Sequence, residues 1–348
     1  MSYCVRLAEP HDAERWDAYV TAHPDGTLLH GFRWKTLVER TARQVCPYLI
    51  AEKKGQVAGV LPLSLRKSLL FGRSLISTSF AVYGGPLVDD AAAASMLDDA
   101  AWRLAEDLGA SALEYRSLMA SHAHDPDWTL LEGQSAVFQA PIAPTADARL
   151  QAIPRKQRAV VRKALKNNLK TRLGHANWRQ AYALYAISVR NLGTPVFPKA
   201  LFAGIADLFP DEAEFAVIET QAGEAVASLV SFYDGDTVRP YYAGGTPSAR
   251  MVAAHDGMYF SLMERAADRG CVLFDFGRSR VDSGPYRFKR NWGFAPTPLG
   301  YEIRTAPGRK APNVTPGAGG YGFASAVWRR LPLLLTNRLG PVFARHLG

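Results

Sequence analysis

The apolar and polar positions of this chain follow a pattern that recurs. Residues 47–62, PYLIAEKKGQVAGVLP, read as an apolar strand, a polar turn containing Gly55, and a second apolar strand. Residues 215–230, FAVIETQAGEAVASLV, repeat the pattern around Gly223. Two apolar runs joined by a short polar turn with glycine predict a β-hairpin in each place. The echo continues past the hairpins. Tyr83-Gly-Gly-Pro follows the first, and Tyr242-Ala-Gly-Gly-Thr-Pro the second. Helical stretches are expected next, over 91–108 and about 256–269, each stopped by a glycine, Gly109 and Gly270. Short strands then close the units, Leu113-Glu-Tyr-Arg-Ser and Phe274-Asp-Phe-Gly-Arg-Ser. The expected fold class is mixed α/β, built from two similar units with antiparallel hairpins feeding βαβ segments.

Ala140-Pro-Ile-Ala-Pro-Thr marks a boundary between the halves. A basic stretch follows, from Ile153-Pro-Arg-Lys-Gln-Arg to Arg172. Pro154 suits the first position of a helix. Val160, Val161, Ala164, Leu165 and Leu169 recur at helical spacing, and the remaining surface is cationic. Thr305 to Gly322 is rich in proline and glycine and reads as a linker. An apolar and basic tail, 321–348, ends the sequence. The expected division is 1–145, 146–305 and 306–348, the last a linker and tail that packs on the first domain or lies on a membrane surface.

The chain has 348 residues, enough for about two domains. Forty-eight per cent are hydrophobic and 21% charged, a composition that buries full cores and excludes wholesale disorder. The net charge of +9 points to nucleic acid, an anionic membrane or a phosphorylated small molecule, or else to a mildly basic enzyme. The three cysteines, Cys4, Cys46 and Cys271, lie far apart with no CxxC spacing, so neither a disulfide framework nor a cysteine zinc site is expected. No metal-ligand spacing links the eight histidines to a Glu, and His122 and His124 read as solvated loop residues. No apolar run is long enough for a transmembrane helix, and the start lacks a signal-peptide pattern. A cytoplasmic protein, at most resting on the inner face of the membrane, is expected.

Candidate chemistry concentrates in two stretches. From Arg155 to Arg172 there is no acid to pair with the cations, so this helix is either an anion-binding face or a solvated one. The second stretch is Phe274-Asp-Phe-Gly-Arg-Ser-Arg and its continuation to Phe294. Asp275 and Arg278 either belong to an active-site loop or form an internal ion pair that fixes the turn. Lys289 stands among Phe288, Trp292 and Phe294, where a lysine held by aromatic rings aims its charge at a developing oxyanion. For amine attack on a carbonyl, Asp275 is the candidate base, and Tyr242, Arg278, Ser279 and Trp292 are substrate-binding candidates. No GxSxG, HExxH or P-loop motif is present, and such a reaction needs no covalent nucleophile.

The paired units, the Pro-Arg-Lys-Gln-Arg helix, Asn191-Leu-Gly-Thr-Pro-Val-Phe-Pro, and Phe274-Asp-Phe-Gly-Arg-Ser with Phe288-Lys-Arg-Asn-Trp-Gly-Phe resemble the FemAB-like proteins. The branch they look most like is associated with exosortase (PEP-CTERM) exopolysaccharide loci. The resemblance spans about Trp34 to Ile303. It implies two tandem GNAT-like (acetyltransferase-like) domains and an N-acyltransferase that moves an acyl or aminoacyl group to an amine of a cell-envelope or exopolysaccharide precursor. It further implies that Phe288-Lys289 sits by the transferred carbonyl, and that basic residues such as Arg155, Lys156 and Arg158 bind a diphosphate. No permanently bound cofactor is implied. The donor is either acyl-coenzyme A or aminoacyl-tRNA, since the RxxGxG/A loop of ordinary acetyltransferases is missing. A catalytically silent assembly protein of an exopolysaccharide system, and an aminoacyl-tRNA-dependent protein transferase, are the alternatives.

Overall fold

A computed structural model describes residues 3–68, 72–309 and 321–344. In chain order the elements begin with β1 (Tyr3–Leu7), α1 (Ala13–Ala22), α2 (Phe32–Ala42), β2 (Leu49–Lys53), β3 (Gln56–Leu61), β4 (Leu63–Ser68) and β5 (Gly72–Ser77). They continue with β6 (Leu87–Val88), α3 (Ala91–Asp107), β7 (Ala112–Ser117), β8 (Trp128–Leu130), β9 (Ser135–Pro141), α4 (Ala146–Ala152) and α5 (Arg155–Lys166). Next come β10 (Lys170–Leu173), α6 (Trp178–Leu192), α7 (Lys199–Leu208), β11 (Ala213–Glu219), β12 (Ala225–Asp234) and β13 (Thr237–Gly245). The chain closes with α8 (Ala254–Asp268), β14 (Leu273–Arg280), α9 (Gly284–Asn291), β15 (Pro296–Pro298), β16 (Gly300–Thr305), α10 (Tyr321–Arg330) and α11 (Leu333–Ala344).

The repeat read from the hydrophobic pattern is present. Both hairpins form, β2–β3 and β11–β12, and both pair antiparallel. Asp90 caps α3 by accepting from Ala93 N at 2.9 Å, and Leu97, Ala101 and Ala105 bury one face of that helix. Gly109 and Gly270 end α3 and α8 at φ of 63° and 82°, the left-handed region that glycine enters without steric cost. The basic helix is shorter than the expected 155–172. It ends at Lys166, Asn168 takes φ of 48°, and Lys170 and Arg172 fall on the edge strand β10.

The chain divides into two compact units. One comprises Met1–Glu132, Leu299–Thr315 and Val342–Gly348, the other Gly133–Pro298 and Pro316–Pro341. The first unit holds a four-stranded sheet, β1-β2-β3-β6, and a five-stranded sheet, β4-β5-β7-β16-β8. Its core gathers Leu97, Ala101, Leu113, Tyr115 and Trp128. The second unit holds a seven-stranded sheet, β10-β11-β12-β13-β14-β9-β15, with Phe138, Val161, Met258, Phe274, Phe276 and Trp292 in its core.

These units differ from the expected 1–145, 146–305 and 306–348. Strand β9 follows the first run of elements yet pairs with β14 and β15 of the second unit. Strand β16 follows the second run yet pairs with β7 and β8 of the first. A strand joins whichever sheet leaves its ladder groups a partner, and position in the sequence does not decide that. Helix α10 packs on α6 of the second unit: Arg190 Nη1 donates to Arg329 O at 3.2 Å, and Gly193 leaves space for Ser325 where a Cβ would collide. Most of the expected linker, 310–320, lies outside the described residues.

Candidate active site

The site is built where two parallel strands part. β13 and β14 pair only at Thr237↔Leu273 and Val238↔Phe274. Beyond these, β13 follows β12 to Gly245, while β14 follows β9 to Arg280. Each strand carries a ladder-breaking residue just past the split. Pro240 has no N–H to donate, and the β12 register shifts between Val230 and Ser231, opposite it. On β14 the register shifts between Asp275 and Arg278, with Gly277 at φ of 67°.

A buried charge network pins this opening. Asp275 is fully buried. Its Oδ1 accepts from Gly277 N at 2.8 Å, and its Oδ2 accepts from Gln139 Nε2 at 3.1 Å. Arg239 Nε stands 3.4 Å from the same Oδ2, at ion-pair distance but out of line for a hydrogen bond, while its Nη1 donates to Asp234 at 2.6 Å. The Asp275 carboxylate is thus enclosed and engaged on both oxygens. It shapes the Gly277 turn, and a base open to substrate, the role read from the sequence, does not match this enclosure. Asp275 pairs with Arg239, which the sequence reading passed over. A charged residue followed by proline within an apolar strand was the available signal.

Lys289 completes the network from α9. That helix starts at Ser283, whose Oγ accepts from Tyr286 N, with Pro285 in the first turn. Lys289 Nζ donates to Gly277 O at 2.9 Å and to Arg278 O at 3.2 Å. The rings of Phe138 and Phe276 lie 5.5 and 5.7 Å from it. Only 9% of the residue is exposed. Burial lowers its pKa to about 7; the Asp275 charge opposes that fall and the Arg278 charge adds to it. The lysine read from the sequence as a charge aimed at an oxyanion is thus buried, with its pKa lowered toward neutrality.

The other predicted residues divide. Arg278 is exposed beside the turn, and Ser279 is buried with its Oγ lacking a hydrogen-bond partner among the described residues. Phe288 packs among Tyr259, Phe276 and Trp292, with ring centroids 5.6 to 6.3 Å away. Trp292, expected to bind substrate, is instead a core residue, 2% exposed, and its Nε1 donates to the buried Asp256 at 3.1 Å. Asp256 also accepts from Gln157 of α5, so one carboxylate joins α5, α8 and the end of α9. Tyr242 is likewise enclosed, packed against Tyr185, Phe197, Phe202 and Tyr241. Its place is the wall behind β13.

The basic helix brings a second feature. Arg155, Lys156, Arg162, Lys163 and Lys166 are exposed and have no carboxylate at ion-pair distance among the described residues. Arg158 is occupied, donating to Ile153 O and Gln151. The end of α5 abuts the start of α8: Asn167 Nδ2 donates to Val252 O at 2.9 Å, and a Cβ on Gly257 would stand 3.0 Å from Ala164. Ala253 precedes α8 and offers no side-chain cap, and the Asp256 carboxylate in the first turn engages its own backbone N–H. The remaining amides of this helix start, three residues after Arg250 and next to the cationic end of α5, suit a diphosphate, although the usual RxxGxG/A loop is missing.

One expectation in the first unit is corrected. His122 is not solvated. Its Nε2 lies 3.0 Å from Asp98 and its Nδ1 3.1 Å from Glu302, and its ring stacks on Trp128 at 4.2 Å. No His, Cys, Asp and Glu group among the described residues has the arrangement of a metal site.

Residues 155–290 match the acetyltransferase (GNAT) domain family. No curated protein matches the chain. Among solved structures, FemX is similar over 88% of this chain and 98% of its own, with TM-score 0.69 and 17% identity. L-PGS from Bacillus licheniformis is similar over 97% and 98%, with TM-score 0.55 and 14% identity. A tandem GNAT protein from the clavulanic acid biosynthesis pathway is similar over 89% and 99%, with TM-score 0.54 and 12% identity. At these identities the likeness concerns the fold. The GNAT match implies acyl-coenzyme A as donor. The parted strands, the enclosed carboxylate and the buried lysine all fall within the segment, residues 155–290, that matches the GNAT domain family, and the match supports an acyltransferase.

Proposed function

We propose that this chain is an N-acyltransferase that moves an acyl or aminoacyl group to an amine of a cell-envelope or exopolysaccharide precursor, at the inner face of the membrane. The observation that carries the reading is Lys289, buried at the parting of β13 and β14 and titrating near 7. The fold-level likeness to FemX supports the FemAB-like resemblance on which the envelope setting rests.

The chemistry follows from the residues. The acceptor amine attacks the thioester or ester carbonyl, and a tetrahedral intermediate forms with negative charge on oxygen. Neutral Lys289 gives both N–H groups to Gly277 O and Arg278 O, which leaves its lone pair to take the proton from the attacking nitrogen. The carbon–sulfur or carbon–oxygen bond then breaks, and the Lys289 ammonium returns that proton to the leaving group. Asp275, Gln139 and Arg239 hold the Gly277 turn that positions the lysine. The amides at the start of α8, with Arg250, Lys163 and Lys166, would hold the donor's phosphates. Arg155 and Lys156, at the other end of α5, would extend this surface toward a larger donor or a diphosphate-bearing acceptor.

The test is acceptor-dependent transfer by the purified chain, followed by mass spectrometry, with acyl-coenzyme A and aminoacyl-tRNA as alternative donors and an amino-sugar nucleotide as acceptor. N-acylated product is expected, with the rate reduced about a hundredfold or more in Lys289→Met. Absence of transfer from either donor, or a near-normal rate in the variant, overturns the proposal. A steep loss of donor affinity with salt marks the tRNA donor.

A further inference from the structure

Helix α11 is amphipathic in the inverted sense. Its small residues face inward: Thr336, Gly340 and Ala344 are buried. Gly340 sits so close to Val196 that a Cβ would stand 2.7 Å from Cγ1 and 2.9 Å from the backbone nitrogen. Rotating the helix to turn its large side chains inward would break this seat. The outward positions recur at helical spacing and are large and apolar. Leu334 is 81% exposed, and Leu335, Leu339, Val342 and Phe343 are between 43% and 49% exposed. A row of five such side chains directed outward along one helix is unusual for a surface that meets only water.

The segment that carries this row has charge of one sign. No Asp or Glu follows Glu302 in the sequence, whereas Arg329, Arg330 and Arg338 lie exposed on and beside α11. An apolar face on a segment whose charged residues here are arginines is complementary to a bilayer with anionic headgroups. Leucines enter the acyl boundary while guanidinium groups pair with phosphates. A water-soluble acidic partner would be met by the arginines but would leave the leucines uncovered. No helix among the described residues is long and apolar enough to cross a membrane, so the contact would lie in the interface plane.

We propose that the outer face of α11, with Arg329, Arg330 and Arg338, docks this protein on the surface of an anionic phospholipid bilayer. The inference stands apart from the acyl transfer reaction and from the identity of its substrates. It is tested with the full chain by co-sedimentation with vesicles of phosphatidylcholine alone and of phosphatidylcholine mixed with phosphatidylglycerol. Binding to the mixed vesicles is expected, falling with salt and much weaker on the neutral ones. Leu334→Asp with Leu339→Asp, and separately Arg329→Glu with Arg330→Glu, should each weaken it about tenfold or more. All four positions are exposed, so unchanged circular dichroism and melting are expected. Failure to bind the mixed vesicles, or binding that both double variants retain, overturns the proposal. So does a dimer in sedimentation equilibrium that Leu334→Asp with Leu339→Asp dissolves, since the face would then belong to a second copy.

Discussion

Lys289 Nζ lies 2.9 Å from the carbonyl oxygen of Gly277, at the bulge where β14 leaves β13. The lysine is presented by a helix that follows the strand, and the bulge turns a backbone carbonyl toward it. Neither half of the contact exists without the other: a regular β14 would direct that carbonyl into the ladder with β9.

The first prediction concerns pH. Lys289 has its ordinary pKa above 10 when exposed and about 7 here. Its neutral form therefore accumulates as pH rises through about 7, and the rate of transfer should rise with it to a plateau. Lys289→Arg keeps the charge but cannot lose its proton near neutrality. The rate of this variant should be about a hundredfold lower and flat through the same range. Retention of activity by Lys289→Arg would show that a fixed cation facing the oxyanion suffices.

Asp275 should tune that profile without touching substrate. Its negative charge favours the protonated form of Lys289 and partly opposes the effect of burial. Asp275→Asn keeps an oxygen for the Gly277 N–H but removes the charge, so the pH of half-maximal rate should move lower. Arg239 would also lose one of its two carboxylates, costing about 3 kcal/mol in denaturant unfolding. An unmoved pH profile together with lost stability would reduce Asp275 to a purely structural group.

The His122 clamp sets a stability window in the first unit. Burial pulls the His122 pKa down, but hydrogen bonds and charge from Asp98 and Glu302 outweigh it and hold the pKa at about 9. A raised folded-state pKa means that the stabilisation is complete below the unfolded value near 6.5 and fades as pH climbs to about 9. His122→Gln should therefore cost roughly 2 kcal/mol at about pH 6, after allowing for solvent screening, and almost nothing at about pH 10. Urea unfolding of both forms at the two pH values is the measurement. An equal loss at both would show that stacking on Trp128, not charge, supplies the effect.

Much of the architecture was legible in the residues because it is local. The hairpins around Gly55 and Gly223, the ends of α3 and α8 at Gly109 and Gly270, and the cationic surface of α5 each depend on a few neighbouring side chains. The candidate segment 274–294 was legible for the same reason, as a dense run of charged and aromatic residues. What each member does was not. Trp292 read as a substrate contact and is a core ring bonded to Asp256; Asp275 read as a base and is enclosed by Arg239 and Gln139. Those partners lie 36 and 136 residues away in two cases, beyond any periodic signal.

By itself, then, the sequence determined which elements form and where cations gather, since propensity, capping and hydrophobic period act within a turn or a hairpin. Tertiary structure decided which sheets β9 and β16 complete, that His122 is held between two carboxylates, and that the leucines of α11 face outward. It also decided the protonation of Lys289. A pKa depends on how much water and which charges surround the group, and both are set by residues brought together only when the chain is folded.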